Sequence, residues 1–128
     1  MTEPVWLSPD LVIAIHDEQL AEFGGAPGLR DAGALESALA RPINRYHYGN
    51  TDLASLVGAH GFGLARNHAF VDGNKRTALL AIVTFLGLNG VDFDVREPEA
   101  VVMMLALAAG EVDEHGLSLW IADKLRAA

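Results

Sequence analysis

His68-Ala69-Phe70-Val71-Asp72-Gly73-Asn74-Lys75-Arg76, running straight into Thr77-Ala78-Leu79-Leu80, decides how this chain of 128 residues is read. The Asp-Gly-Asn cluster breaks any regular pattern, and an apolar stretch of helical character then continues to Leu88. Asn74 therefore marks a helix start, with residues 68–73 as a tight loop before it. The first N–H groups of a helix lack intrahelical partners, and the macrodipole favours negative charge there. A histidine, a carboxylate and two cations around such an end form a phosphate site beside a proton acceptor and a ligand for a metal ion. That assembly suits phosphoryl or nucleotidyl transfer.

Outward from this point the chain reads as helices. Ser8-Pro9-Asp10 combines an N-cap, a proline at the first helical position and an early acid. Leu11, Ile15, Leu20 and Phe23 can then share an inner face, and Gly24-Gly25 ends the helix. Asp31 caps a short helix containing Leu35, Ala38 and Leu39, expected to stop before Pro42. Arg41 to Asn50 shows no helical period and reads as a loop or short hairpin carrying Tyr46, His47 and Tyr48. Thr51 or Asp52 opens a third helix, running to about Asn67 with Leu53, Leu56, Val57, His60 and Leu64 at helical spacing. The fourth, Asn74 to Leu88, is apolar on nearly every face and is expected to be central. Val91 to Val95 alternates, and two further helices are expected near Pro98–Ala109 and Gly116–Arg126. The expected architecture is all-α: one domain over residues 1–128, a compact bundle of about six helices with at most a small hairpin.

Composition sets the bounds. With 51% apolar and 20% charged residues the chain can bury a core and is not disordered. It has no cysteine, which excludes disulfides, thiolate metal sites and a cysteine nucleophile. Met1-Thr2-Glu3-Pro4 is acidic and lacks the apolar run of a signal peptide. The longest apolar run, interrupted by Thr84 and Gly87, falls far short of the ~20 residues that span a bilayer. A cytoplasmic protein without membrane contact is expected. The net charge of −8 argues against direct nucleic-acid binding. Against that acidic background Arg66, Lys75 and Arg76 cluster around His68, which fits a small polyanionic ligand.

Each candidate residue has two physical readings. His68 is a general base, or a histidine held by the carbonyls of a helix end. Asp72 is a Mg²⁺ ligand, since Mg²⁺ takes one or two carboxylates with phosphate oxygens and waters, or a capping carboxylate. Gly73 permits the tight turn, and Asn74 holds phosphate oxygens, caps the helix, or does both. Lys75 and Arg76 oppose the helix dipole, so they either store charge for an anion or are solvated surface cations. Arg66 adds a guanidinium to the phosphates or pairs with an acid on its own helix. His16, His47, His60 and His115 lack such surroundings and read as structural.

The pattern His-x-Phe-x-Asp-Gly-Asn-Lys-Arg at 68–76 resembles the active-site signature of the Fic/Doc family, in its Doc branch of toxin–antitoxin toxins. Gly28-Leu29-Arg30-Asp31-Ala32-Gly33-Ala34-Leu35-Glu36-Ser37-Ala38-Leu39-Ala40-Arg41-Pro42 resembles the family's segment before the active-site helices, and Leu7-Ser8-Pro9 through His16-Asp17 is also Doc-like. Fic proteins that transfer AMP typically carry a second glycine where this chain has Lys75, and a second arginine where it has Leu79. The Doc-type site is associated with ATP bound in the reverse sense. The resemblance thus implies a protein kinase that transfers the γ-phosphate of ATP, with Mg²⁺, to a Thr hydroxyl of elongation factor Tu.

Several Fic proteins block their own ATP site with a Ser/Thr-x-x-x-Glu segment followed by Gly or Asn, and no such segment stands in this chain. The resemblance therefore implies inhibition by a separate antitoxin whose disordered tail folds as a helix on an apolar groove. The competing readings are AMP transfer to a protein hydroxyl, a catalytically idle nucleotide-binding protein and a metal-dependent hydrolase. The last lacks a second histidine or acid at ligand spacing.

Overall fold

A computed structural model describes residues 3–93 and 97–127, and among them the chain forms six α-helices. These are α1 (Pro9–Phe23), α2 (Ala32–His47), α3 (Leu53–Arg66), α4 (Asn74–Leu88), α5 (Glu97–Ala108) and α6 (Glu114–Ala127). The starts follow from local capping chemistry. Ser8 Oγ accepts from the Leu11 N–H at 3.1 Å, Asp31 Oδ1 from Ala34 at 3.0 Å and Asp52 Oδ2 from Ser55 at 3.2 Å. Each satisfies a donor that the first turn leaves without a helical partner. Asp113 does the same for α6, accepting from Gly116 at 2.7 Å.

Two expectations about α2 and the segment after it are overturned. α2 does not stop before Pro42 but passes through it to His47, so Arg41–Asn50 is helix and turn rather than a hairpin. Pro42 cannot donate to the Ala38 carbonyl, yet tertiary contacts hold the far half of the helix. Pro42 is itself buried, Arg41 and Arg45 both pair with Glu114 of α6, and Tyr46 meets Trp6 edge-on at 5.8 Å. Among the described residues, non-helical pairing amounts to one isolated antiparallel bridge, Leu29 with Phe70. The expected alternating segment Val91–Val95 lies partly outside the described residues, and Val91–Phe93 is irregular.

The centre belongs to α3 more than to α4. Ten residues of α3 are buried, against six of α4, whose Val83 and Leu88 reach solvent. α3 packs against α2, α4, α5 and α6, while α4 packs against α1, α3 and α5. Glycines explain the difference. A Cβ on Gly58 would lie 2.0 Å from Ser118 Oγ of α6, and one on Gly61 2.5 Å from Ile82 Cδ1 of α4. One on Gly63 would lie 3.1 Å from the Ala38 Cα of α2. The missing side chains let three helices approach one axis, a closeness that the apolar period alone does not reveal. Phe85, Ile82, Leu86, Leu117 and Ile121 fill the space between them, fully buried. Each contributes about 1.5–3 kcal/mol by leaving water.

His60 of α3 sits in this core with neither ring nitrogen hydrogen-bonded, its ring 5.1 Å from that of Phe85. Burial penalises the charged form and lowers its pKa from 6.5 to about 4.

Two predictions follow from the packing. Gly63→Ala should cost about 1–3 kcal/mol, because the contact is with α2 backbone that cannot swing aside. Gly87→Ala, in α4 with open space around it, should instead stabilise by about 0.5–1 kcal/mol. Urea denaturation midpoints decide, and equal effects at both sites would refute the packing argument. For His60 the unfolded state binds the proton first as pH falls. Its stabilising contribution is complete above pH 6.5 and is lost as pH drops from 6.5 towards 4. The loss is on the order of 3 kcal/mol. The stability difference between the parent and His60→Leu should change with pH across that window, and a constant difference would contradict a neutral buried ring.

Candidate active site

The loop between α3 and α4 has no ladder of its own, and its backbone is held from outside. Asn67 closes α3, its N–H donating to Gly63 O at 2.9 Å and its amide to Ala34 O at 3.1 Å. His68 then takes a left-handed conformation, φ 52°, and its side chain is exposed. A non-glycine residue there costs about 1–2 kcal/mol. Ala69 O accepts from Arg30 N at 2.7 Å and Asp31 N at 3.0 Å, while Val71 N donates to Gly28 O at 3.0 Å. The segment before α2 thus pairs with the loop, and this pairing is the bridge noted above.

Asn74 staples the loop to the helix that follows. Its Oδ1 accepts from Phe70 N at 3.0 Å, and its Nδ2 donates to Phe70 O at 2.9 Å. The amide thereby gives one N–H and one lone pair to the loop and keeps a second N–H. Gly73 precedes it with φ 77°, and a Cβ there would fall 2.1 Å from Gln19 Nε2. Glycine meets both constraints without strain. No side chain caps α4, so the first N–H groups of the helix are left to another acceptor.

α1 braces the loop with polar groups. His16 Nε2 lies 2.8 Å from Asp72 O, and because a carbonyl only accepts, this nitrogen carries the proton. The His16 ring also stacks on Phe70, centroids 3.8 Å apart and planes 10° apart. Asp72 Oδ1 accepts from Gly73 N at 2.8 Å and Oδ2 from Ala26 N at 3.3 Å. The inner face of α1 is accordingly Val12, His16 and Gln19, and Phe23, expected inside, is 53% exposed. Leu11, Ile15 and Leu20 are half-buried. His16 is drawn inside by the Asp72 carbonyl, whereas Gln19, buried against Gly73, makes no hydrogen bond through Nε2. His16 and Gln19, at helical spacing after Val12, were the available signal.

A cavity of about 390 Å³ opens at this point, within the size range of small-molecule sites. It brings together His68, Asp72, Gly73, Asn74, Lys75 and Arg76, with Leu79 and the α5 residues Val101, Met104 and Leu105 opposite. Arg66 is not among them. It projects from the last turn of α3, exposed, with its guanidinium 5.5 Å from the Phe62 ring centre. A second groove shares His68, Lys75 and Leu105 with the cavity and continues along Val102 and Ala106. The base candidate thus stands where two depressions meet.

Among the described residues no group of three or more His, Asp or Glu could enclose a metal ion. Asp72 alone, an exposed carboxylate beside an uncapped helix end, fits Mg²⁺ of the kind that also binds phosphate oxygens and water. The carboxylate would anchor the ion, and its loop hydrogen bonds fix its orientation. No helix among the described residues is long and apolar enough to cross a membrane.

Comparison with known proteins agrees with this geometry. The model of the Fic/DOC family matches residues 6–86, from just before α1 through most of α4. "Protein kinase doc" of Escherichia phage P1 is 38% identical over 122 residues, covering 94% of this chain and 92% of the relative. "Toxin Doc" of Mycolicibacterium smegmatis is 42% identical over 107 residues, covering 76% of this chain and 79% of the relative. The family match spans every residue that shapes the loop, and both relatives align over most of their length. On these grounds the chain belongs to the Fic/DOC family.

Proposed function

We propose that this protein is the toxin of a toxin–antitoxin module and acts as a protein kinase. It transfers the γ-phosphate of ATP to a Ser or Thr hydroxyl of a translation factor, elongation factor Tu, and so blocks translation. The two relatives named as a kinase and as a toxin support the class. The observation that carries the choice of phosphate is Lys75, exposed in the first turn of α4 on the cavity wall, with Leu79 one turn further along the same wall.

A glycine at 75 would let a diphosphate approach the backbone closely, and an arginine at 79 would add a second charge. With lysine and leucine there, the pose that lines up the α-phosphate loses both supports. Lys75, Arg76 and the N–H groups of α4 hold phosphate oxygens, so the γ-phosphate faces His68. His68 takes the proton from the acceptor hydroxyl, which enters along the adjoining groove. The bond from hydroxyl oxygen to γ-phosphorus forms as the bond to the β–γ bridging oxygen breaks, and ADP leaves. Mg²⁺ bound at Asp72 would neutralise charge on the phosphates. Positioning and charge stabilisation supply most of the acceleration in such transfers. The activity is restrained by a separate antitoxin whose disordered tail orders on binding.

The test is incubation with Mg²⁺, purified elongation factor Tu and ATP labelled on either the α- or the γ-phosphate. Label from the γ-position should appear on the acceptor, and none from the α-position. His68→Ala should lower transfer by about 10²–10⁴-fold. Asp72→Asn should raise the Mg²⁺ concentration required, because an amide is a poorer ligand for a hard cation. Lys75→Gly should weaken γ-transfer. Label from the α-phosphate on the acceptor would overturn the kinase reading in favour of AMP transfer.

A further inference from the structure

One face of α1 addresses the site in register. His16 meets the Asp72 carbonyl, Gln19 lies under Gly73, and Phe23, in the last turn, lies under Arg76. The third contact is the least expected. The Arg76 guanidinium carbon stands 3.8 Å from the Phe23 ring centre, although Phe23 is 53% exposed. An aromatic ring with half its surface in water adds little to the core, so its packing does not account for its place.

We infer that Phe23 is a positioning residue, which fixes the plane of the Arg76 guanidinium so that the site is charged and oriented before nucleotide arrives. The inference rests on the reading of Arg76 as a phosphate ligand. Arg76 occupies the first turn of α4, where the dipole repels a cation, and something must offset that repulsion. The ring's negative face contributes to that offset from below. Phe23 also ends a helix whose last turn carries no cation of its own, and the negative end of that dipole adds to the attraction. A stack engages only the face of a guanidinium, while its N–H donors lie in its plane. The contact therefore sets the direction of the donors without consuming them. Lys75, the adjacent cation, is fixed by no comparable stack among the described residues, so the two cations divide the work. One is a set fork, the other a mobile point charge.

The test is calorimetric titration of the full chain with Mg·ADP, alongside steady-state kinetics with ATP, for the parent, Phe23→Leu and Phe23→Tyr. Phe23→Leu keeps apolar bulk but loses the ring. It should weaken Mg·ADP binding by about three- to tenfold. KM for ATP should rise in proportion, kcat should hold and the melting temperature should not change, the pattern of a lost uniform binding contact. Phe23→Tyr should restore the parent values. Added to Arg76→Lys, Phe23→Leu should have almost no further effect, because one contact cannot be lost twice. Parent-like binding by Phe23→Leu, equal loss in the Leu and Tyr variants, or full additivity with Arg76→Lys would overturn the inference while leaving the kinase reading intact. Absence of Mg·ADP binding by the parent would overturn both.

Discussion

A loop that belongs to neither a helix nor a sheet must still satisfy its backbone donors and acceptors, and this requirement governs the site. Residues 68–73 meet it by recruiting partners from three parts of the chain. Asn74 returns to Phe70, the segment before α2 supplies Gly28, Arg30 and Asp31, and α1 supplies His16 and the turn at Ala26. Once these bonds are made, the positions of His68, Asp72 and the first turn of α4 are no longer independent. The chemistry proposed for the cavity depends on that fixed spacing, because phosphoryl transfer is governed by placement more than by the reactivity of any single group.

The helices bring those three parts within reach. α3 carries Gly58, Gly61 and Gly63, each opposite a different neighbour, so α2, α4 and α6 close around it. α1 then covers the outer side of α4, and α5 forms the far wall of the cavity. The bundle serves the loop by placing two helix ends, of α1 and of α4, side by side. Opposite dipole ends in proximity attract, which makes that arrangement favourable as well as functional.

Local signals were legible in the sequence and distant ones were not. Ser8 and Asp31 were read as caps, and Thr51 or Asp52 as the next, because capping involves residues only two or three apart, and α1, α2 and α3 begin where those rules put them. The loop and its charged surroundings were legible because they are contiguous. Pro42 misled because local chemistry says stop, while Glu114, brought close only by folding, holds the helix beyond it. His16 was read as structural, and it is, but what it holds was not legible, because the Asp72 carbonyl lies 56 residues away. Arg66 was gathered with Lys75 and Arg76 by proximity in sequence, and the turn at His68 carries it away from the cavity.

That turn sets backbone against side chain at position 68. The backbone at 68, at φ 52°, is one that glycine adopts freely and histidine does not. Replacement by glycine would relax the chain by about 1 kcal/mol in the same step that removes the imidazole. At this position backbone stability and side-chain chemistry pull in opposite directions, since the residue that fits the turn best carries no imidazole. The stability of the turn therefore does not account for a histidine at this position.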